Sequence, residues 1–230
     1  MLSLNYLADK YLCSGWVRQG AFRGIRIESG SPITGRPKWL GAYEKELQSV
    51  WERVIFGRPK LIFDIGAAEG YYAAGLLIRL PNAIAYAWEQ DQKTADLLRR
   101  NAVINSVHER LKIYGRCDAD SLKTALASTV PDLVLCDAEG AELTLFSKST
   151  AAELRHSVIV IESHSEEAIS HLQDVFNDTH LVEMIQPQKR EIKDWTLPPI
   201  IFATNFYKHW AVQERRTIAT PWLIGWPKAS

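Results

Sequence analysis

The chain carries no excess charge of either sign: 27 Lys and Arg stand against 27 Asp and Glu. With no bulk positive potential, it has no general attraction to a phosphate backbone or an anionic lipid surface. A nucleic-acid partner would need a local basic patch. There is no long uncharged apolar run to suggest a membrane span. Cysteine is scarce, and Cys13, Cys117 and Cys136 cannot close into a fully paired disulfide set. Cys117 and Cys136 end apolar runs, where small buried thiols are common. The opening stretch MLSLNYLADKYLCSG holds Asp9 and Lys10 inside its apolar part, which argues against a secretory leader. These absences lead to the expectation of a cytoplasmic chain in a reducing compartment. Internal repeats and low-complexity tracts are missing too. What is present is 230 residues, 47% hydrophobic, enough for one domain with a sizeable core and some decoration.

From about residue 61 to 186, short apolar runs alternate with helix-like segments. The runs lie at 60–64, 83–89, 111–117, 132–138, 157–162 and 180–185. The intervening segments at 71–80, 92–106, 121–129, 141–154 and 166–177 have helical character. Runs such as VIVIE and DLVLC are almost continuously apolar, as in strands buried on both faces. Strand–helix alternation implies an α/β fold with a parallel sheet and right-handed crossovers. Ligands of such sheets bind beyond the carboxyl ends of the strands. That edge gathers Asp64, Glu89, Cys117, Asp118, Asp137, Glu162 and His164.

Outside this core the pattern changes. Residues 1–56 read as a helical extension and 57–230 as the main domain. Within the extension the expectation is a short helix at 4–12, a Gly/Pro/Ser-rich connection over most of 14–38, and a helix at 40–55. That last helix would carry Leu47, Val50, Trp51 and Val54 at helical spacing. After Ile185, residues 187–217 are polar and aromatic, broken by Pro187, Pro198 and Pro199, with a short strand expected at 200–203. PWLIGWP at 221–227 reads as a last strand. If it returns antiparallel, the connection before it crosses the ligand edge as a lid over 187–217; a connection that long is usually functional.

The most informative stretch is LIFDIGAAEGYY, residues 61–72. A strand ends in Asp64, Gly66 and Gly70 frame a tight turn, and a helix follows, which together suit a nucleotide-like ligand. Glu89 ends the next apolar run nineteen positions after Gly70. A carboxylate at about that distance accepts hydrogen bonds from ribose hydroxyls. Two cofactors compete. A nicotinamide site usually shows three glycines as G-x-G-x-x-G, whereas here Ala67 and Ala68 stand between the outer pair. Asp64 would also repel a pyrophosphate but suits a cationic amino-acid end. The electrostatics therefore favour S-adenosylmethionine.

Four blocks, in order, are similar to a known family. DIGAAEGYYAA (64–74), AWEQDQKTADLLRRNAVINS (87–106), CDAEGAELTLF (136–146) and VIVIESH (158–164) together resemble the class I S-adenosylmethionine-dependent methyltransferases of the FkbM type. The upstream LGAYEKEL (40–47) resembles a segment preceding these domains. The D-x-E-G-A-E block is the most specific of the four. Ala68 departs from the asparagine or glycine often found there. The likeness covers about residues 40–165 and leaves the C-terminal third unassigned. It implies a Rossmann-like seven-stranded sheet, mostly parallel with an antiparallel last strand and helices on both faces. It also implies methyl transfer, usually to a hydroxyl of a small molecule or sugar-containing acceptor. By position, Asp64 with the backbone of Gly66, Ala67, Ala68 and Gly70 would hold the methionine end. Glu89 would bind the ribose. Asp118 or Asp120 would accept the adenine amino group, although an acid after a strand is often a helix cap.

Methyl transfer to a hydroxyl needs alignment, exclusion of water and removal of a proton. His164 is the best base because its unperturbed pKa lies near neutrality. Asp137 and Glu162 are further catalytic candidates, as are Glu139 and Glu142, though helix capping accounts for Glu142. Asp137, Glu162 and His164 also form the ligand set of an alternative divalent-cation site, magnesium or manganese. Lys189, Arg190, Lys193, Trp195, Phe206, Tyr207, Lys208, His209, Trp210, Arg215 and Arg216 mix cations with rings, as an acceptor region would. Three other classes remain open. An RNA or DNA base methyltransferase would usually show N/D-P-P-[YFW] where this chain reads DAEG. The others are a non-catalytic cofactor-binding protein and, more distantly, a dehydrogenase. Oligomeric state is not legible.

Overall fold

Residues 15–30, 32–191 and 220–229 are described in a computed structural model. Strand β1 (Leu61–Ile65) is buried at all five positions, and β4 (Leu133–Cys136) at all four. In β5 (Val158–Glu162) only the first residue is partly exposed. These continuous apolar runs form the centre of the sheet because helices cover both of their faces. β2 (Ile84–Trp88), β3 (Leu111–Tyr114) and β6 (His180–Ile185) include exposed positions. With β7 (Trp222–Pro227) they complete a seven-stranded sheet of order β3-β2-β1-β4-β5-β7-β6. β1 to β5 pair in parallel, and β7 runs antiparallel between β5 and β6. This is the mostly parallel Rossmann-like sheet expected from the sequence, with its antiparallel last strand.

Period-2 alternation divides the core into two layers. Ile62, Leu133, Leu135, Val160 and Ile224 face one layer, against α2 (Gln48–Gly57), α3 (Tyr71–Arg79) and α4 (Gln92–Ile104). Phe63, Val134, Cys136, Ile159 and Ile161 face the other. That layer holds α5 (Ala119–Ser128), α6 (Glu142–Leu145), α7 (Lys148–Glu153) and α8 (Glu166–Phe176). In α2, Val50, Trp51 and Val54 are the buried face, and burial of a valine side chain contributes about 1.5–3 kcal/mol.

Three expectations are corrected. A single helix over 40–55 does not form. Leu40 ends α1 (Pro32–Leu40), and the helix restarts as a 3-10 turn (Lys45–Leu47) followed by α2. The break falls at Gly41, whose φ is 75° and where a Cβ would lie 2.0 Å from the Gln19 carbonyl oxygen. Only glycine allows that approach. The stretch 14–38 is not simply a connection. It contains α1 and a Trp16–Arg26 antiparallel bridge, and Phe22, Ile25 and Ile27 are buried in the first layer. The helix expected at 141–154 is two helices, because Phe146 turns extended into the core and Ser147 caps α7 by accepting the Thr150 N–H. The helix expected at 4–12, Cys13 and the strand at 200–203 lie outside the described residues. Among the described residues, no helix is long and apolar enough to cross a membrane.

Candidate active site

The loop after β1 is built to bring backbones close. Gly66 and Ala67 both donate their N–H to the Trp88 carbonyl, at 2.9 and 3.0 Å. Gly66 has φ 82°, and a Cβ there would stand 1.8 Å from the Asp137 carbonyl oxygen, so this position admits only glycine. The loop thus presses against the tip of β4. Ala68 sits in the left-handed region at φ 47° and donates its N–H to Glu89 Oε2 at 3.0 Å. Gly70, also left-handed, opens α3.

Asp64 lies in β1, 1% exposed, and its Oδ2 has no hydrogen-bond partner. Burial, reinforced by the nearby Glu89 charge and only partly opposed by the Ala73 N–H, pushes its pKa from the usual 3.8 up to about 7. Glu89, at the end of β2, spends its carboxylate on backbone, accepting from Ala68 and from Asp91 at 2.7 Å. Asp118 is exposed and caps α5, accepting from the Ser121 N–H at 2.9 Å and hydroxyl at 2.6 Å. Those bonds hold its pKa below the ordinary range. Asp118 thus caps α5 through Oδ1, a structural role the sequence also allowed for such an acid.

Two supports of this loop were not legible beforehand. Glu69 is buried and pairs with Lys38 of α1, Nζ to Oε1 2.5 Å. Lys38 also stands 4.6 Å from the Tyr43 ring centroid. Asn101 and Asn105 of α4 bind the extended segment at 26–28 as a backbone would. Asn101 Oδ1 accepts the Glu28 N–H at 2.8 Å while its Nδ2 donates to the Glu28 carbonyl at 2.9 Å. Asn105 does the same to Arg26, at 2.8 and 2.6 Å. The match is geometric: four residues of helix rise about 6 Å, and two residues of extended chain span about 6.6 Å. Asn101 Nδ2 also donates to the Glu69 carbonyl at 2.8 Å, so one amide ties the N-terminal segment to the glycine loop.

The tips of β4 and β5 carry a different arrangement. After Asp137, Glu139 (φ 43°) and Gly140 (φ 99°) both turn left-handed and reverse the chain. Glu142, the first residue of α6, then returns inward with its side chain fully buried. Its Oε1 lies 2.5 Å from His164 Nδ1 and also accepts the Gly140 N–H at 3.3 Å. On the other side of the ring, Nε2 is 3.5 Å from Asp137 Oδ1 and 3.7 Å from Glu162 Oε2. The Glu142 hydrogen bond, outweighing burial, raises the His164 pKa above its ordinary value, with the charges of Glu142, Glu162 and Asp137 adding to it. Burial pushes Glu142 up, but the His164 bond prevails and leaves it below the carboxylate norm. Thr220, entering β7, donates to Glu162 Oε1.

The fold therefore brings Asp137, Glu162 and His164 together, with ligand-type atoms all within 4.8 Å of one another. Glu139 is exposed. Glu142 was read as a helix cap; its actual partner, His164, is 22 positions away and invisible to spacing arguments. Cys117 and Cys136 are free and buried, and burial drives the Cys117 thiol up to about 12. Of the acceptor candidates, Arg190 is used internally: its Nε donates to the Ala42 carbonyl at 2.9 Å and its Nη2 lies 3.3 Å from Glu46 Oε2. The Lys189 carbonyl accepts from Lys45 at 3.4 Å. Lys193, Trp195, Phe206, Tyr207, Lys208, His209, Trp210, Arg215 and Arg216, with the rest of the expected lid from 192 to 217, lie outside the described residues.

The fold is similar to that of several solved methyltransferases. The precorrin-6Y C5,15-methyltransferase of Geobacter metallireducens GS-15 matches with a TM-score of 0.52 at 15% identity, over 79% of this chain and 89% of that one. The O-methyltransferase of Bacillus cereus, solved in complex with SAH, matches at 0.50 and 14%, over 77% and 78%. The SAM-dependent methyltransferase of Agrobacterium tumefaciens matches at 0.53 and 12%, over 79% and 62%. At these identities the likeness defines the class of fold, the Rossmann-like methyltransferase sheet. No family model and no curated protein matches the chain in sequence.

Proposed function

We propose that this chain is an S-adenosylmethionine-dependent methyltransferase of the FkbM type that methylates a hydroxyl of a small-molecule or sugar-containing acceptor. The observation that carries the reading is the pairing, on one sheet edge, of an orphaned buried acid at the glycine loop with an imidazole among carboxylates at the β4–β5 tips. Asp64 Oδ2, buried without a partner, fits the cationic amino group of the methionine end. The backbone of Gly66, Ala67, Ala68 and Gly70 lines the same end. Glu89 is pre-oriented by its two backbone bonds and keeps lone pairs for ribose hydroxyls. Asp118 is assigned to the adenine amino group. S-adenosylmethionine supplies a methyl group on a sulfonium, open to in-line displacement. This chain's residues would align the acceptor and remove its proton, with His164 as base and Asp137 and Glu162 stabilising the charged ring. The buried free thiols support a reducing, cytoplasmic setting.

A second reading places a divalent cation on Asp137, Glu162 and His164, because their ligand atoms converge within 4.8 Å. A metal there would lower the pKa of a bound hydroxyl. Three experiments test these readings, the last of them the metal. Calorimetry with S-adenosylmethionine should show binding; a chain that binds none cannot have the proposed activity. Mass spectrometry of extracts incubated with the protein and isotopically labelled S-adenosylmethionine should reveal an O-methylated product. Retention of full activity after exhaustive chelation would remove the metal.

A further inference from the structure

We infer that Glu142 is a positioning residue that fixes the tautomer of His164, keeping the proton on Nδ1 and presenting Nε2 to the acceptor. The inference rests on His164 being the base at the transfer site. The geometry leaves little choice. An ionised carboxylate only accepts hydrogen bonds, so a contact of 2.5 Å between Glu142 Oε1 and His164 Nδ1 needs the proton on the nitrogen. The Glu142 side chain is fully buried, so no water competes for its carboxylate. The Gly140 N–H donates to the same oxygen, and the left-handed pair Glu139 and Gly140 sets the direction from which Glu142 arrives.

Simple helix capping does not describe this residue. Oε1 accepts from His164 and from Gly140 just ahead of α6, and the buried Oε2 has no hydrogen-bond partner. A carboxylate kept dry at that cost is typical of a group that orients a base. Nε2 stands beyond strong hydrogen-bond length from Asp137 and Glu162, at 3.5 and 3.7 Å. It is therefore the ring nitrogen that Glu142 does not engage.

The test reads the tautomer directly, through two-bond proton–nitrogen correlations of the His164 ring in the whole protein. The signals are assigned by their loss in His164→Gln and recorded where the ring is neutral. The wild type is expected to show Nδ1–H. In Glu142→Gln the amide can turn its NH2 toward the ring and select Nε2–H, and Glu142→Leu releases the constraint altogether. An Nε2–H ring in the wild type, or a tautomer unchanged in folded Glu142→Leu, would overturn the inference. Because the wild type alone already decides the first point, unfolding of a variant leaves the test intact. Once the acceptor is known, Glu142→Gln should lower kcat roughly 10³–10⁴-fold with KM little changed, as expected of a base held in the wrong tautomer. If the tautomer behaves as expected but His164→Gln transfers methyl groups at the wild-type rate, the assignment of His164 as base fails instead.

Discussion

The two ends of the ligand edge use polar side chains in opposite ways. Around the glycine loop, polar groups grip backbone or an opposite charge: Glu89 holds Ala68 and Asp91, Asn101 holds Glu28 and Glu69, and Lys38 neutralises Glu69. At the β4–β5 tips, three carboxylates surround one imidazole. The first arrangement stabilises the fold and presents a rigid cradle. The second concentrates like charge, which favours a protonated ring and is costly without one. Asp64 is the exception on the glycine-loop side, a buried acid whose Oδ2 has no hydrogen-bond partner. On the proposed function, structure prepares the binding of the methyl donor and electrostatic tension prepares the transfer.

The largest effects should separate the two ends. His164→Gln is expected to lower methyl transfer by roughly 10²–10⁴-fold, the usual contribution of a general base, while the glutamine amide still offers a donor to buried Glu142 and keeps the stability loss to about 1–2 kcal/mol. Comparable losses of both would erase the contrast. Lys38→Met should do the reverse, costing about 3–5 kcal/mol in urea unfolding by stranding buried Glu69. An unchanged midpoint would show that the pair is not structural. Next in size, Asn101→Ala should destabilise by about 2–3 kcal/mol. Proteolysis should then cut first near 26–28, since that segment loses its clamp.

Asp64 sharpens the comparison through pH. With its pKa raised to about 7, its proton must leave before an ammonium group can pair with it. Affinity for S-adenosylmethionine should therefore fall about tenfold per pH unit below 7 and be flat above it. Asp64→Asn should lose that slope and bind about 10–30-fold more weakly. Stability moves the other way. A raised folded-state pKa contributes stability below the unfolded value of 3.8 that is lost as pH rises through 7. The asparagine variant should thus gain on wild type across that window. Calorimetry and urea titration at pH 5, 6, 7 and 8 check both. The smallest effect belongs to Ala68→Gly. Relief of the left-handed alanine, about 1–2 kcal/mol, is offset by the entropy of glycine, for a net gain under about 1 kcal/mol in melting experiments.

Much of the central sheet was legible. β1, β4 and β5 are apolar at nearly every position because they are buried on both faces, and the loop at 66–70 declares itself through its glycines. The N-terminal segment was not legible in the same way. Its extended stretch at 26–28 is held by side chains of α4 more than seventy positions on, so its own composition looks like a connection. The helix at 141–154 was missed as two pieces because its helical periodicity runs through Phe146, while burial of that ring against Phe176 decides the break.

Local chemistry belongs to the sequence: a strand with an acid next to its last residue, a turn that only glycine can make, and caps at Asp91, Asp118 and Ser165. These depend on residues within a few positions of one another, where spacing and backbone sterics suffice. The strand order, the Lys38–Glu69 pair and the contact between Glu142 and His164 belong to the tertiary structure. Each joins segments separated by a crossover or more, and which tips become neighbours is decided by how the helices pack on the two faces of the sheet. The glycine loop was therefore written along the chain, and the orientation of His164 was settled only when β4 and β5 came to lie side by side.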